Sequence, residues 1–439
     1  MTRHITGFIH DLDVADVPPG VLAQARQCLL DLIGVAAAGS TTALSRIMRD
    51  HAARHLRGEE STAPLLFDGR MVSPPGAALA NAATIDAIDG HDGHRLTKGH
   101  AGAAILPAAV SVLADNVDAT TDDLLIALVV GYEIANRAGI ALHGAGLDYH
   151  SSGAWNALGA AAVGARALSL DETATRHALG IAEYHGPRAP MMRCVDHPTM
   201  VKDSSAWGAH AGVSAALLAA AGFTGAPAEL LSLDPPLWEG LGERWTLLEQ
   251  YLKQHPVCRW AHPAVEGALQ LMTLHDLVPT SIRRIEVVTF AAAARLATGI
   301  PVTTEVAQYS LPFPVAIAAV HGMVEPEIIA HPNRADEQVR RLTESMRVHE
   351  SPEMTAQFPA SRAAEVTVVL DDGRRLCSGS VTALGDPEQP LSTEAVATKF
   401  LSFAAPVLGS AAAEQLLAQL GSAQNGSLSG LLDQLQVLV

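Results

Sequence analysis

The chain has 439 residues, a formal net charge of −17 at pH 7 and a hydrophobic fraction of 49%. The acidic balance argues against a nucleic-acid partner, which would need a basic face, and the hydrophobic fraction argues against extended disorder. The four cysteines are widely spaced and form no CxxC pair, so the sequence predicts neither a zinc knuckle nor a disulfide framework.

The segment from about residue 19 to residue 270 has helical patterns. The stretch "PPGVLAQARQCLLDLIGVAAAGS" begins with proline and ends in Gly-Ser, which is the usual punctuation of a helix. Later Ala/Leu-rich stretches carry Gly153, Gly159 and Gly164, which predicts closely packed, buried helices. The N-terminus is charged, and the apolar run "AGAAILPAAVSVLA" is too short to span a membrane. We therefore expect a soluble cytoplasmic protein without a membrane partner.

Strand patterns begin near residue 279. The stretches "SIRRIEVVTF" and "AAEVTVVLDDGRRLCSGSV" alternate β-branched and polar residues, the second around an Asp-Gly turn. Helical patterns lie between them and return after residue 388. The sequence therefore predicts a mainly α fold, with a large discontinuous all-helical domain (1–271 and 389–439) and a smaller α+β domain (272–388).

Titratable residues are concentrated in "IDAIDGHDGHRLTKGHAG", residues 85–102, which includes Asp89, His91, Asp92, His94, Lys98 and His100. A metal site, a proton-transfer site and a solvated loop are the three alternatives at this point. Imidazole and carboxylate are ordinary zinc ligands, but no HExxH-type helix is present, and Arg95 and Lys98 would repel a cation. We expect no metal here.

Two further segments combine histidine with cations. Residues 184–212 form a Pro/Gly-rich loop pattern with Arg188, Arg193 and Lys202, and long loops inside compact domains are commonly functional. Residues 251–269 carry Lys253 and Arg259 ahead of a helical pattern. The chain has four lysines, and three of them lie in the three histidine-rich segments. Because carboxylates are bound by Arg and Lys, the three segments together favour a pocket for a small anionic polycarboxylate.

Several blocks in order along nearly the whole chain resemble the MmgE/PrpD family. They are "DLIGVAAAGS", the Asp-rich stretch before "HAGAAILPA", "GYEIANRAG", "YHSSGAWNALGAAA", "MVKDSSAWGAHAG", "HPVCRWAHPA" and "AQYSLPFPVAIA". This family includes 2-methylcitrate dehydratase, cis-aconitate decarboxylase and iminodisuccinate epimerase. The resemblance implies a large helical domain with a smaller α+β domain, a homodimer, and catalysis without a cofactor or metal.

The resemblance also implies positions for functional residues. The Asp-rich motif falls on Asp89, Asp92 and His100, and an aromatic of the "QYSLPF" block, Tyr309 or Phe313, lies near the site. The predicted catalytic residues are Asp89, His100, His150, Lys202 and Lys253. The predicted substrate-binding residues are His91, Asp92, His94, Lys98, Arg188, Arg193, Arg259 and Tyr309.

The reactions of the family share the removal of a proton or a carboxylate next to a carboxylate carbon. Such a step needs a base and fixed positive charge where an oxyanion develops. Gly93 stands where dehydratases and decarboxylases usually have threonine, and His91, His94 and Lys98 add bases. These departures favour an epimerase of iminodisuccinate. A 2-methylcitrate-type dehydratase is the alternative, followed by a decarboxylase of a cis-aconitate-like acid. A non-catalytic helical binding protein and a metal hydrolase are the hypotheses from other classes.

Overall fold

Helices form most of the described chain, which comprises residues 2–146, 148–296, 299–422 and 426–436 of a computed structural model. The helices up to residue 239 are α1 (Thr2–Asp11), α2 (Pro19–Gly39), α3 (Ala43–His55), α4 (Pro74–Asp86), α5 (Gly102–Leu113), α6 (Thr121–Gly144), α7 (Gly153–Ala167), α8 (Glu172–His185), α9 (Met192–Asp196), α10 (Ser205–Ala220) and α11 (Pro235–Glu239). Those that follow are α12 (His262–Leu274), α13 (Ala291–Ala294), α14 (Thr304–Gln308), α15 (Pro312–His321), α16 (Pro326–Ala330), α17 (Glu337–Ser345), α18 (Pro352–Gln357), α19 (Thr393–Leu408), α20 (Ser410–Ser422) and α21 (Leu428–Leu435). The predicted mainly α class is confirmed.

The helices before residue 221 pack around an extensive apolar core. Helix α7 lies between α6 and α10, and α10 also packs against α4 and α8. Gly159 permits the close approach of α7 to α6, because a Cβ there would lie 2.5 Å from the carbonyl oxygen of Gly131. The small residues of these helices therefore serve close packing, as their sequence predicts.

Two of the core helices, α2 and α6, are long and apolar enough to cross a membrane by length and composition. The apolar run "AGAAILPAAVSVLA" is a different segment and forms the shorter helix α5. In the most apolar windows of α2 and α6, 72% and 94% of the residues are buried inside the protein. Both therefore fit the core helices of a soluble globular protein, which pass the same test.

Strands are short before residue 251 and longer after residue 281. The described residues form β1 (Ala63–Pro64), β2 (Met71–Val72), β3 (Gly93–His94), β4 (Gln250–Tyr251), β5 (Ile282–Thr289), β6 (Arg347–Glu350), β7 (Ala363–Leu370) and β8 (Arg375–Thr382). The last four make one sheet in the order β6-β5-β7-β8, in which only the β5–β6 pair is parallel. Helix α12 packs on β7 and β8, and α17 packs on β5, so this part has the predicted α+β character.

Two-stranded ladders interrupt the helical part, which is therefore not all-helical as predicted. Strand β1 pairs with β2, and β3 pairs with β4 in antiparallel register, with Gly93 opposite Tyr251 and His94 opposite Gln250. The second ladder joins the loop after α4 to the segment before α12. It brings two of the three histidine-rich segments together.

The C-terminal helices return to the first part of the chain. Helix α19 packs along α2, and α20 contacts both of them. The ring of Phe400 lies so close to Gly34 that a Cβ at position 34 would be 3.0 Å from it. The division of the chain at residues 271 and 388 remains a prediction.

Candidate active site

A cavity of about 120 Å³ lies where the loop between α4 and α5 meets segments around α9, α12, α14 and β7. Its polar lining consists of Asp89, Lys98, His100, Tyr149, Tyr251, Cys258, Arg259, Tyr309 and Arg362. Its apolar lining consists of Met191, Met192, Val195, Trp260, Ala292, Phe358 and Pro359. A concave site that combines cations with an apolar wall suits a small anionic ligand.

Asp89 presents a buried carboxylate to this cavity. Its backbone is left-handed, with φ at 50°, a conformation that Asp adopts more readily than most residues. The Lys253 ammonium donates to the carbonyl oxygen of Asp89 at 2.8 Å and to its Oδ1 at 2.5 Å. Burial alone would raise the pKa of Asp89, but Lys253 and Lys202 lower that pKa well below its usual range. Asp89 is therefore ionised at neutral pH.

His100 stands beside Asp89 as a neutral base. Its Nδ1 lies 2.6 Å from the carbonyl oxygen of Asp92, which can only accept, so the proton of the ring is on Nδ1. Burial and the nearby charge of Lys253 lower the pKa of His100 well below its ordinary value. The imidazole is therefore neutral at pH 7, and Nε2 carries a free lone pair 4.0 Å from Asp89 Oδ1.

Lys202 is buried one layer behind the cavity wall. Its Nζ donates to Gln308 Oε1 and lies 4.9 Å from the centre of the Tyr309 ring, which lines the cavity. Burial opposes the charge of Lys202, but the carboxylates of Asp89 and Asp86 outweigh it and raise the pKa. Lys202 therefore supplies fixed positive charge to the Asp89 side of the cavity.

Tyr251 reaches the cavity through the β3–β4 ladder. A Cβ at position 93 would lie 2.4 Å from the Tyr251 hydroxyl and 2.8 Å from His100 Nδ1. The Tyr251 phenol therefore occupies the space that a larger residue at Gly93 would need. Burial raises the pKa of Tyr251, so the hydroxyl keeps its proton at neutral pH.

Two arginines complete the cationic lining. Arg259 donates from Nη1 to the Leu384 carbonyl oxygen at 2.7 Å, and its Nη2 lies 3.1 Å from Asp386 Oδ1. In the described part of the chain, Nε of Arg259 and Nε of Arg362 are buried without a hydrogen-bond partner. Both side chains line the cavity, and their guanidinium charges would attract a carboxylate of a ligand there.

Family models match almost the whole chain. The model of the MmgE/PrpD N-terminal domain matches residues 3–235, and that of the MmgE/PrpD C-terminal domain matches residues 255–422. The chain belongs to the MmgE/PrpD family. Its members are enzymes that act on small acids, so the resemblance found in the sequence is confirmed at this level.

Curated relatives in this family carry the names of decarboxylases. Human cis-aconitate decarboxylase is 25% identical over 446 residues, which cover 95% of this chain and 90% of that protein. The Aspergillus terreus cis-aconitate decarboxylase is 24% identical over 451 residues, with 93% and 90% covered. The cis-aconitate decarboxylase-like protein oryM of Aspergillus oryzae is 30% identical over 237 residues, about half of each chain (51% and 48%). None of these three relatives is named as an epimerase.

Among the residues predicted for the MmgE/PrpD site, the structure brings seven together. Asp89, Lys98, His100, Arg259 and Tyr309 line the cavity. Lys202 and Lys253 contact lining residues from behind, through the Tyr309 ring and the Asp89 carboxylate respectively. Phe313, the other aromatic considered, is buried in the core of the α+β part.

His91 and Asp92 lie beneath the cavity rather than in its lining, which corrects their expected position. His91 Nε2 is 3.1 Å from Asp86 Oδ1, and its ring meets the His100 ring edge-on, with the centroids 4.4 Å apart. The Asp92 carbonyl orients His100, whereas its carboxylate is buried. Burial raises the pKa of that carboxyl to about 6. Both residues therefore act on His100 and not on a ligand.

His94 and His150 are also outside the cavity lining. His94 Nδ1 accepts from the Leu96 amide at 3.2 Å, and its Nε2 faces Glu249 Oε2 at 3.3 Å, so the ring points into the local fold. The His150 ring turns towards the Asp148 carbonyl, although its neighbour Tyr149 does line the cavity. The structure thus gives neither histidine a direct contact with the cavity.

Arg188 and Arg193 point away from the predicted pocket. The Arg188 guanidinium is 3.3 Å from Glu183 Oε1 and is 41% exposed, and Arg193 is exposed on α9. Because α9 turns Met192 and Val195 towards the cavity, Arg193 lies on another face of this short helix. The predicted substrate contacts of these two arginines are therefore not seen.

Sequence reasoning missed several lining residues. Tyr149, Tyr251 and Arg362 carry polar groups, but none of them stood out by composition. It also missed Asp203, which accepts from the backbone amide of Ser152 at 3.1 Å, and whose pKa burial raises to about 7. Tyr149 directly precedes His150, and Tyr251 lies two residues before Lys253. This closeness to predicted residues is the signal in the sequence that could have found them.

One cluster has the donors for a metal ion. Single atoms of Asp89, His91 and His100 lie within 4.8 Å of one another. Oδ1 of Asp89 lies 3.8 Å from His91 Nε2 and 4.0 Å from His100 Nε2, and the Lys253 ammonium contacts this same oxygen. A cation there would repel a metal ion. The donor set fits a metal only if Lys253 gives up that contact, and the predicted absence of a metal remains a prediction.

Proposed function

We propose that the chain abstracts a proton from the carbon next to a carboxylate of a small polycarboxylic acid, without a cofactor. The observation that carries this proposal is the neutral His100, whose Nε2 lone pair lies beside Asp89 in the cavity. A base must be deprotonated and within reach of its proton, and the burial of His100 meets the first requirement at pH 7.

The cations of the site supply what the intermediate needs. Removal of the proton leaves negative charge on the adjacent carboxylate, and fixed positive charge close by lowers the barrier. Lys202 and Lys253 provide this charge around Asp89. Arg259 and Arg362 add two guanidinium groups to the cavity lining and would attract a second carboxylate. The site thus suits an acid with at least two carboxylates.

We propose epimerisation of iminodisuccinate as the specific reaction. His100 would take the proton from one face of the carbon, and a proton returned from the other face would complete the reaction with no other bond changed. Tyr251 and Tyr309 line the same cavity as protonated phenols and are candidate donors. Dehydration of a 2-methylcitrate-type acid shares the first step and needs in addition an acid for the departing hydroxyl group.

Decarboxylation of a cis-aconitate-like acid is the second candidate, because two curated relatives that match this chain over 90% of their length are named cis-aconitate decarboxylases. In this reaction the bond to a carboxylate carbon breaks, carbon dioxide leaves, and the electron pair left behind takes up a proton. The Lys202 ammonium, which Asp89 and Asp86 keep protonated, is the corresponding acid. This reaction would use the charged lysine where epimerisation uses the neutral histidine.

One experiment separates these reactions. The purified protein is incubated in deuterated water with a single iminodisuccinate stereoisomer, with 2-methylcitrate and with cis-aconitate, and each mixture is followed by proton NMR. Epimerisation gives loss of stereochemical purity with deuterium at the chiral carbon. Dehydration gives a new alkene, and decarboxylation gives a product one carbon shorter. Absence of exchange and of turnover with all three acids would contradict the proposal.

We also propose that the protein is a homodimer, as the family resemblance implies. Apolar side chains around the ends of α8 and α10 are exposed, among them Tyr184 at 80%, Val201 at 67% and Trp207 at 51%. Exposed aromatic surface of this kind is typical of an interface. Light scattering at micromolar concentration tests the proposal, and a stable monomer would contradict it.

A further inference from the structure

Lys399, the lysine outside the three histidine-rich segments, reaches the site from helix α19. It is 6% exposed, and its Nζ donates to the carbonyl oxygen of Gly90 at 2.7 Å and to Asp31 Oδ1 at 2.5 Å. Lys399 does not line the cavity. Its acceptor Gly90, however, directly follows Asp89, the carboxylate that does.

Two ammonium groups therefore hold two consecutive carbonyls of the same loop. Lys253 Nζ binds the Asp89 carbonyl at 2.8 Å, and Lys399 Nζ binds the Gly90 carbonyl at 2.7 Å. Asp89 is the residue with the left-handed backbone, at φ 50°. These two carbonyls belong to the Asp89–Gly90 and Gly90–His91 peptide groups, which flank Gly90. Holding both restricts the backbone angles of Gly90 and so fixes the path of the chain from Asp89 to His91.

Apolar side chains pack closely against Gly90. A Cβ at Gly90 would lie 3.0 Å from the Phe403 ring and 3.4 Å from a Val35 methyl group. These side chains belong to α19 and α2, the helices that also carry Lys399 and Asp31. These side chains crowd the Cα side of Gly90, whereas Lys399 itself borders a separate cavity.

We propose that Lys399 is a positioning residue, which holds the Gly90–His91 peptide, between Asp89 and the residues that contact His100, so that Asp89 and His100 keep their relative placement. Asp31 would have a different task, which is to neutralise Lys399 inside the core. The inference rests on the proposed function only in assuming that Asp89 and His100 meet the substrate. Helix α19, which carries Lys399, would then help to hold the site in place.

Two variants separate positioning from plain stability. Lys399→Met removes the donor but leaves Asp31 buried without its partner, which is expected to destabilise the fold. The double variant Asp31→Leu/Lys399→Met removes both charges, and replacing a whole buried pair by apolar residues is often neutral or stabilising. In the double variant the Gly90 carbonyl still lacks its donor. Stability and positioning are thereby uncoupled.

Three measurements are made on wild type and both variants: the melting temperature, hydrogen–deuterium exchange of the peptide covering residues 87–94, and kcat and KM with the acid that the wild type converts. We expect the double variant to regain most of the melting temperature that Lys399→Met loses. We expect its 87–94 peptide to exchange faster than in wild type. We expect kcat to fall by on the order of tenfold to a hundredfold, with KM nearly unchanged.

A stable double variant with wild-type exchange in residues 87–94 and wild-type kcat would overturn the inference, because stability would then be the whole contribution of Lys399. If the wild type converts none of the acids, the proposed function fails by itself. Exchange in residues 87–94 requires no turnover and still decides the positioning: faster exchange in the stable double variant supports it, and unchanged exchange refutes it.

Discussion

Lys253 binds Asp89 twice, with one ammonium group donating to both the backbone carbonyl and the side-chain Oδ1 of the same residue. Neither partner is exposed by more than 3%. The pair joins the loop after α4 to the segment before α12, which the β3–β4 ladder also connects. It therefore has a structural and an electrostatic task at the same point.

Replacing Lys253 by methionine should strongly destabilise the protein. Breaking a buried ion pair from one side leaves an uncompensated charge, which typically costs about 3–5 kcal/mol. The double variant Asp89→Asn/Lys253→Met should lose less stability than Lys253→Met, because no buried charge is stranded. Urea denaturation followed by circular dichroism measures both. A single variant as stable as the double variant would show that the pair carries no such penalty.

The same pair predicts how stability depends on pH. The folded pKa of Asp89 is lowered, so its contribution is complete above the unfolded pKa of about 4 and is lost as the pH falls towards the folded value. Wild type should therefore lose more unfolding free energy between pH 5 and pH 3 than the Asp89→Asn/Lys253→Met variant does. Equal losses in the two proteins would contradict the lowered pKa.

His100→Gln should lower kcat by about 10²–10⁴-fold if the imidazole is the general base. Because the folded pKa of His100 is lowered, the wild-type profile of kcat/KM should show no acid limb near pH 6.5; that limb should lie at clearly lower pH. His275→Gln is the matched control, since His275 is exposed directly after α12. A profile that falls through pH 6.5 would instead indicate an ordinary, solvated histidine.

The Asp-rich motif shows how far sequence alone could lead. Composition and family resemblance placed Asp89 and His100 in one site, and the ladder between Gly93 and Tyr251 explains why the third cluster joins them. They also placed Asp92 in the site as a substrate-binding residue, although only Asp89 lines the cavity. The left-handed backbone at Asp89 turns the chain, so these carboxylates face different surroundings three residues apart.

The distal lining residues were beyond the reach of the sequence for a related reason. Arg362 precedes β7 and has no histidine or lysine near it in the chain, so no local composition marked it. Arg193, by contrast, belongs to a segment rich in histidine and cations but lies exposed on α9. Tertiary packing decides which side of a five-residue helix faces a cavity, and a cluster of charged residues in the sequence does not identify that side.

This difference between the two arginines gives a prediction. Arg362→Leu removes a cation from the cavity lining, and lost hydrogen bonds to charged groups cost about 1.5–3 kcal/mol. KM should therefore rise by roughly tenfold or more, with a smaller change in kcat. Arg193→Leu is the matched control and should change KM by less than about twofold. A larger rise in KM for Arg193→Leu than for Arg362→Leu would instead favour the pocket predicted from the sequence, in which Arg193 binds the substrate.

Gly93→Ala should disturb the site without replacing any ionisable residue. The new methyl group would lie 2.4 Å from the Tyr251 hydroxyl and 2.8 Å from His100 Nδ1, so one of them must move. We expect a loss of about 1–3 kcal/mol of stability from overpacking, together with a lower kcat. Gly144→Ala is the control, because a Cβ there meets nothing within 4 Å. Equal stability of the two variants would show that the site can expand freely.

The last prediction concerns the three potential metal ligands. Asp89, His91 and His100 offer atoms within 4.8 Å of one another, but Lys253 contacts the Asp89 oxygen that a metal ion would need. Wild-type protein should therefore keep its activity after dialysis against EDTA and should retain little zinc after incubation with excess zinc and desalting. Lys253→Met removes the competing ammonium and should retain close to one zinc ion per chain by elemental analysis, if the variant is folded. The variant Lys253→Met/His91→Asn, which lacks one ligand, should lose that zinc again. Tight zinc binding by wild type with activity abolished by EDTA would instead mean that Lys253 yields to a metal ion and that the site is a metal centre.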